Sequence, residues 1–285
     1  KCYGSEAAEM KRLMDQALSA GKRSGFQFGV ALTPEQISNL KEDLVWMVEI
    51  TVAGQRVLSP VVYLSAATRN AIKSGAVIAA EDLNMDVTSL TNTGGTISGE
   101  KTLKIVSKGD ITNSSGTIEG GKVALKSTEG SIKNETVTSG SGNDEHYATV
   151  IGKKAGIAAT GDLEMDAKQD ILVKGGSVKA AGDASLTAGN KISFETIVDK
   201  KTDTTRKSGS AGLFGSSSEK TTTTSERNIG SELETGGKLK LKSGGDTTIA
   251  GSKMTVGGDL DVDTGGSFNI LAVQDKTTTK TESEK

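Results

Sequence analysis

The chain has 285 residues, and its 34 Lys+Arg against 36 Asp+Glu leave a net charge of −2, which excludes any electrostatic bias toward nucleic acid or anionic membrane. Only 3% of residues are aromatic and two are proline, whereas 36 are glycine, so a core must be assembled from small and medium aliphatics in a regularly punctuated pattern. A single cysteine, Cys2, and a single histidine, His146, exclude an internal disulfide, a cysteine-based zinc site and a Cys/His nucleophile, and no cofactor is expected.

The first segment, 1–65, reads as a small α+β cap. Lys1-Cys2-Tyr3-Gly4 is not followed by an apolar h-region, so no signal peptide is expected in this stretch, and no run of about 18 apolar residues marks a spanning helix. Met10, Leu13, Met14, Ala17 and Leu18 have helical spacing, which predicts a helix over 6–20. Thr33, Pro34 and Gln36 form a capping box, predicting a second helix with Ile37, Leu40, Leu44, Val45 and Val48 on one face and Trp46 nearby. The stretch 50–64 reads as a hairpin turning at Ala53-Gly54-Gln55. Such a block is expected to cover the open end of a stack of strands.

From 66 onward the sequence is periodic. Leu83 and Met85 are followed by Leu103 and Ile105, then Val123 and Leu125, at one constant interval. Two further columns, Ile78, Ile97, Ile118 and Leu90, Ile111, Ile132, advance by 19 to 21. The template returns at Ile157, Leu163, Met165 and Ile171, again at Val178, Ala184, Leu186 and Ile192, and then from Leu233 and from Met254. Within each repeat apolar and polar residues alternate, as in Leu239-Lys240-Leu241, and Gly-Asp or Gly-Gly pairs precede many of these strands. Short strands at this period, with turns in phase, predict an all-β fold: a parallel, right-handed β-helix of about seven rungs. A leucine-rich repeat is excluded by the lack of its signature, and a calcium-binding nonapeptide repeat by the step length.

One column is polar: Asn92, Asn113 and Asn134 are equally spaced at the same period, which predicts a structural ladder of stacked amides rather than a ligand site. The stack is interrupted near 135–156 and near 196–230 by polar, Thr-rich excursions around Gly/Ser tips, read as protruding β-hairpins. Leu213 and Phe214 stand at the tip of the longer one, large apolar residues the fold does not require, and form a candidate contact tip. At the far end Phe268, Ile270, Asp275, Lys276 and Thr278 repeat the order and spacing of Ile192, Phe194, Asp199, Lys200 and Thr202, so the chain is expected to stop partway into a second copy of that hairpin and to be part of a longer polypeptide.

These residues resemble the two-partner-secretion exoproteins, the filamentous haemagglutinin and CdiA-type contact-dependent growth inhibition family. The resemblance is carried by Leu32 to Ile37 with Asp43 to Glu49, by Pro60 to Leu64, by the run Ile229-Gly230-Ser231-Glu232-Leu233 with Gly236-Gly237-Lys238-Leu239 and Gly244-Gly245-Asp246, and by the tip Lys207-Ser208-Gly209 through Gly215. It implies a toxin-proximal haemagglutinin-repeat region of a secreted, surface-exposed effector, concerned with toxin delivery. It also implies an outer-membrane transporter for export, and the target-cell envelope or other cell-surface proteins as partners. The shaft of a filamentous adhesin is the alternative. A polysaccharide-degrading β-helix is more remote: its acids would have to cluster with aromatics, whereas Asp86, Asp166 and Asp263 recur one per rung at outward positions and Tyr3, Tyr63 and Tyr147 lie outside the repeats. No enzymatic activity is expected.

Overall fold

A computed structural model describes residues 26–27, 29–33, 36–37, 39–40, 44–52, 55–63, 75–210 and 216–284. The chain divides into two units, Lys1–Ser74 with Gly142–Ala148, and Gly75–Ser141 with Thr149–Lys285. The helix expected over 6–20, Cys2, and the tip residues Leu213 and Phe214 lie outside the described residues.

In the first unit Leu44–Val52 and Gln55–Tyr63 form an antiparallel pair in register from Leu44↔Tyr63 to Val52↔Gln55. This corrects the expected second helix, because Leu44, Val45 and Val48 belong to a strand. The reason lies in the local pattern: Leu44, Trp46 and Val48 are buried at alternate positions, a period of two that fits a pleat, and β-branched residues crowd the same stretch. Thr33 and Gln36 do make the reciprocal capping bonds, at 2.9 and 3.2 Å, but only one helical turn, at 36–37, is seen among the described residues. The pair's inner face carries a small core of Leu32, Leu44, Trp46, Val48 and Tyr63. Phe26 meets Trp46 edge-on at 5.9 Å, the Trp46 indole donates to the Val30 carbonyl, and the Leu32 N–H donates to the Tyr63 hydroxyl. Burial pushes the Tyr63 phenol above its ordinary value against that last bond.

The second unit is a parallel β-helix of seven rungs. The rungs span 77–93, 96–114, 117–135, 156–174, 177–195, 232–250 and 253–271, each with three strand segments. First and second segments belong to one eleven-stranded sheet and third segments to a seven-stranded sheet. In the first three rungs the first two segments run on as single strands, for example Thr117–Ser127, with register shifts where they bend. From rung 4 onward turns such as 160–162 separate them.

The apolar columns of the sequence are the registers of the sheets. Ile97 pairs with Ile118, Ile118 with Ile157, Ile157 with Val178, Val178 with Leu233, and Leu233 with Met254. Met165 pairs with Leu125 and Leu186, and Ile171 with Ile132 and Ile192. These side chains point into one continuous core, in which Ile105, Ile118, Met165, Leu186 and Phe194 are wholly enclosed. Alternate residues face out, so each strand shows the buried/open repetition of a one-sided sheet, as in Leu163–Ala167.

Two hairpins project from the rungs: Thr138–Gly142 with His146–Ile151, and Ile197–Ser210 with Ser216–Ile229. The strand Lys276–Glu284 pairs antiparallel with Ser216–Ile229, from Glu226↔Lys276 to Ser218↔Glu284. Together these strands make a five-stranded sheet, in the order C-terminal strand, Ser216–Ile229, Ile197–Ser210, His146–Ile151, Thr138–Gly142.

Candidate functional site: ladders, groove and lateral sheet

Asn92, Asn113 and Asn134 occupy one inward position of the third segments, paired Asn92↔Asn113 and Asn113↔Asn134. The Asn92 amide donates to Asn113 Oδ1 at 2.8 Å and the Asn113 amide to Asn134 Oδ1 at 2.8 Å. The same two NH₂ groups also reach backbone carbonyls just beyond their own strands, Gly95 at 3.1 Å and Gly116 at 3.0 Å. Carbonyl oxygens only accept, so they fix which end of each amide is the nitrogen. The last NH₂, on Asn134, donates to the Ser177 carbonyl at 2.9 Å. In the next rung Val173 takes the position, followed by Phe194 and Ile249, so the column changes from amide to hydrocarbon without leaving an unpartnered buried side-chain atom among the described residues.

The turn aspartates bind neighbouring rungs. Asp162 Oδ1 accepts the N–H of Asp183 at 3.0 Å, and Asp183 Oδ1 accepts the N–H of Lys238 at 2.7 Å. At the next corner Asp110 accepts from Ser131 at 2.9 Å, Asp170 from Lys191 at 3.1 Å and Asp246 from Ser267 at 2.8 Å. A carboxylate at the head of one strand thus satisfies an N–H at the head of the next rung's strand. For Asp110, Asp162, Asp183 and Asp246 the sequence signal is an acid directly after glycine, whereas Asp170 follows Gln169; turn formation alone does not require the acid. The Lys133 ammonium, 2.7 Å away, and then the Ser131 N–H hold the Asp110 carboxyl below the ordinary carboxylate range. Lys154 does the same for Glu232.

An open groove of about 900 Å³ runs along the outer face of the second segments. Its walls alternate in sign, with Lys104 and Lys122, then Asp162 and Glu164, then Lys238 and Lys240. Asp166 and Asp263 face outward and pair with lysines of adjacent rungs, Lys126 at 2.8 Å and Lys242 at 3.5 Å; Asp86 is exposed. No cluster of three or more His, Cys, Asp or Glu suited to a metal occurs among the described residues. His146 lies half-buried in the short hairpin, its N–H donating to Asn143 Oδ1 at 2.8 Å. No helix among the described residues is long and apolar enough to cross a membrane.

The lateral sheet is held by threonines. Thr202 and Thr204, both buried, hydrogen-bond Thr224 and Thr222 across the long hairpin at 3.1 and 2.9 Å. Thr221 meets Thr281 of the C-terminal strand at 3.4 Å, and Asp199 pairs with Arg227 at 3.2 Å.

A family described as Hemagglutinin repeat matches residues 133–217 and 212–285, and one described as Haemagglutinin repeat matches 45–115. A deoxyribonuclease CdiA of Dickeya dadantii is 34% identical over 276 residues, 85% of this chain and 8% of the relative. A tRNA nuclease CdiA of Escherichia coli (strain STEC_O31) is 29% identical over 222 residues, 68% of this chain and 7% of the relative. The filamentous hemagglutinin of Bordetella pertussis is 35% identical over 112 residues, 36% of this chain and 3% of the relative. The chain therefore spans less than a tenth of the length of these relatives. No solved structure matches it. The repeat matches, which cover more than half of the chain, and a fold built from those repeats lead to one assignment: the chain belongs to the haemagglutinin-repeat family, as a repeat region of the secreted, surface-displayed two-partner-secretion exoproteins of the filamentous haemagglutinin and CdiA type.

Proposed function

We propose that this chain is a non-catalytic, β-helical segment from the toxin-proximal repeat region of a contact-dependent growth inhibition effector, and that it acts in delivering the toxin. One observation carries this reading. The relatives that share the segment are named for different nucleic-acid targets, as a deoxyribonuclease, a tRNA nuclease and a 16S rRNA endonuclease. A stretch common to proteins that differ in target serves what they have in common, which is export and delivery, rather than the cleavage itself. The parent protein would leave its cell through an outer-membrane transporter and meet the target-cell envelope. Exchanging the segment between full-length exoproteins of different nuclease type should preserve killing, with the lesion following the nuclease and not the segment. A lesion that follows the segment would defeat the proposal.

The similarity to a filamentous hemagglutinin supports a second reading, the shaft of an adhesin. An in-phase deletion within the full-length protein separates the two. Delivery predicts that export and cell-to-cell binding persist while killing is lost; an adhesin shaft predicts that binding is lost first. Within the same reading, Leu213 and Phe214 are proposed to contact a membrane or partner protein. Removing 211–215 should then lower killing or binding without affecting export or folding, and unchanged activity would leave the tip as a passive turn.

A further inference from the structure

The chain passes from each rung to the next at one corner, after the third segment, and it does so in two ways. After rungs 1, 2, 4 and 6 the crossing takes two residues, and the first is in each case left-handed: Gly94 (φ +67°), Ser115 (+51°), Gly175 (+58°) and Gly251 (+53°). After rungs 3 and 5 the crossing is a hairpin, and the stacked position holds Thr136 and Thr196, neither with positive φ. A β-branched side chain disfavours the left-handed conformation that the tight crossing needs. Each threonine instead ties its hairpin's two roots together. The Thr136 hydroxyl accepts the Ala155 N–H at 3.0 Å, and the Thr196 hydroxyl bonds Asn228 Oδ1 at 3.2 Å.

Tight and open crossings also fit into one another. Ser115 Oγ accepts the N–H of Val137 at 2.9 Å. A Cβ at Gly175 would lie 2.8 Å from Ile197 Cγ1, and one at Gly251 would lie 2.9 Å from Val273 Cβ. In all three pairs the root of an excursion sits over the left-handed corner of the rung before. A side chain at Gly175 or Gly251 would displace that root.

A rung advances the helix by about 4.8 Å, the same distance that separates neighbouring strands of a sheet. A hairpin leaves at the level of one rung and returns at the level of the next, so it occupies two levels. Hairpins after rungs 3 and 5, with the strand after rung 7, put one lateral strand at each level from rung 3 to rung 7. That is the observed order of the five-stranded sheet. We infer that the lateral sheet and the helix are commensurate: a hairpin at every second crossing fills the sheet with neither gap nor clash, and the corner residue selects which crossings open, closing where it is left-handed (Gly94, Ser115, Gly175, Gly251) and opening where it is not (Thr136, Thr196, Ala272). The lateral sheet then joins rungs 3, 5 and 7 directly, a coupling that stacked rungs alone lack. The inference rests on the fold and is independent of the delivery reading, so either can fail without the other.

Hydrogen exchange read by mass spectrometry on the full chain tests it. Replacing 203–223 by Asn-Gly, a two-residue hairpin turn, shortens the long hairpin but keeps Thr202↔Thr224 and the pairing of Lys276–Thr278. The amides of 279–284 should then exchange about tenfold faster or more, while 276–278 and the rungs stay protected. Replacing the hairpin by a tight crossing, Thr196→Gly with 197–230 removed, recreates the Gly251-Ser252 corner, because the new glycine is followed directly by Ser231. Rungs 5 and 6 should remain paired, whereas Lys276–Glu284, left three strand spacings from its nearest neighbour, should lose protection. The same deletion with Thr196 retained should melt at a lower temperature than the glycine version. Persistent protection of 279–284 in the first variant, or of the C-terminal strand in the second, would overturn commensurability. Equal melting temperatures in the last pair would overturn the corner rule.

Discussion

Asn113 occupies the middle of a column in which its amide both accepts from the rung before and donates to the rung after. Truncating it removes two inter-amide bonds, leaving Asn134 Oδ1 without its donor in a dry interior and the Asn92 NH₂ with backbone carbonyls alone. Asn113→Ala is predicted to cost about 1–3 kcal/mol, the penalty for buried groups left unpaired, measured by chemical denaturation. Asp110 makes a prediction in pH. Its carboxyl is held below the ordinary value by Lys133 and then Ser131, so its folded pKa lies beneath its unfolded one. The stabilisation is therefore complete above the unfolded value, about 4, and is lost as pH falls through the folded one. Asp110→Asn should lower the melting temperature at neutral pH, and the difference from the parent should shrink on acidification below about pH 4. The effect should be small because the pair is about two-fifths exposed, at 36% and 43% for the two side chains.

The strand is the element whose packing the sequence displays most openly. Leu186 is fully enclosed and pairs with Met165 on one side and Leu241 on the other. Leu186→Asp would put a carboxylate inside that column and is predicted to cost several kcal/mol; Leu186→Ala should cost about 2–5 kcal/mol. An unchanged melting temperature for Leu186→Asp would contradict the column. These columns are legible because an apolar residue must recur in phase wherever rungs share one core, and the spacing of Leu125, Met165 and Leu186 records it. The segment from Leu44 to Val48 reads as helix in the sequence because a short apolar run with a capping box upstream fits both periods, and what decides between them is the partner strand Gln55–Tyr63. The equal spacing of Asn92, Asn113 and Asn134 can be read off the chain, but which carbonyls share their NH₂ groups cannot. Hidden too is the meaning of Gly175 and Thr196. A glycine and a threonine before a polar stretch look alike until the register shows that they occupy the same corner.

At the scale of the molecule, in-phase deletions separate a simple stack from a stack coupled to a lateral sheet. Removing 196–271 joins Glu195 to Ala272, which occupies the same corner position as Thr196, and takes out two rungs with one hairpin. The C-terminal strand then falls at the level vacated by Ile197–Ser210, beside His146–Ile151. Removing only 156–176 joins Ala155 to Ser177, which is equally well in register for the rungs, because Gly156 pairs with Ser177. It takes out a single rung, however, so the short hairpin now returns at the level from which the long one departs, and two lateral strands compete for one place. In a rod governed only by nearest-neighbour rungs, the larger deletion should be the more damaging. Coupling to the lateral sheet predicts the opposite for exchange at the hairpins: the deletion of 196–271 should keep the C-terminal strand protected, and the deletion of 156–176 should expose one hairpin while the remaining rungs stay protected. If both hairpins remain protected when only 156–176 is removed, the lateral strands are independent of the rung count, and the rod is a simple stack with ornaments.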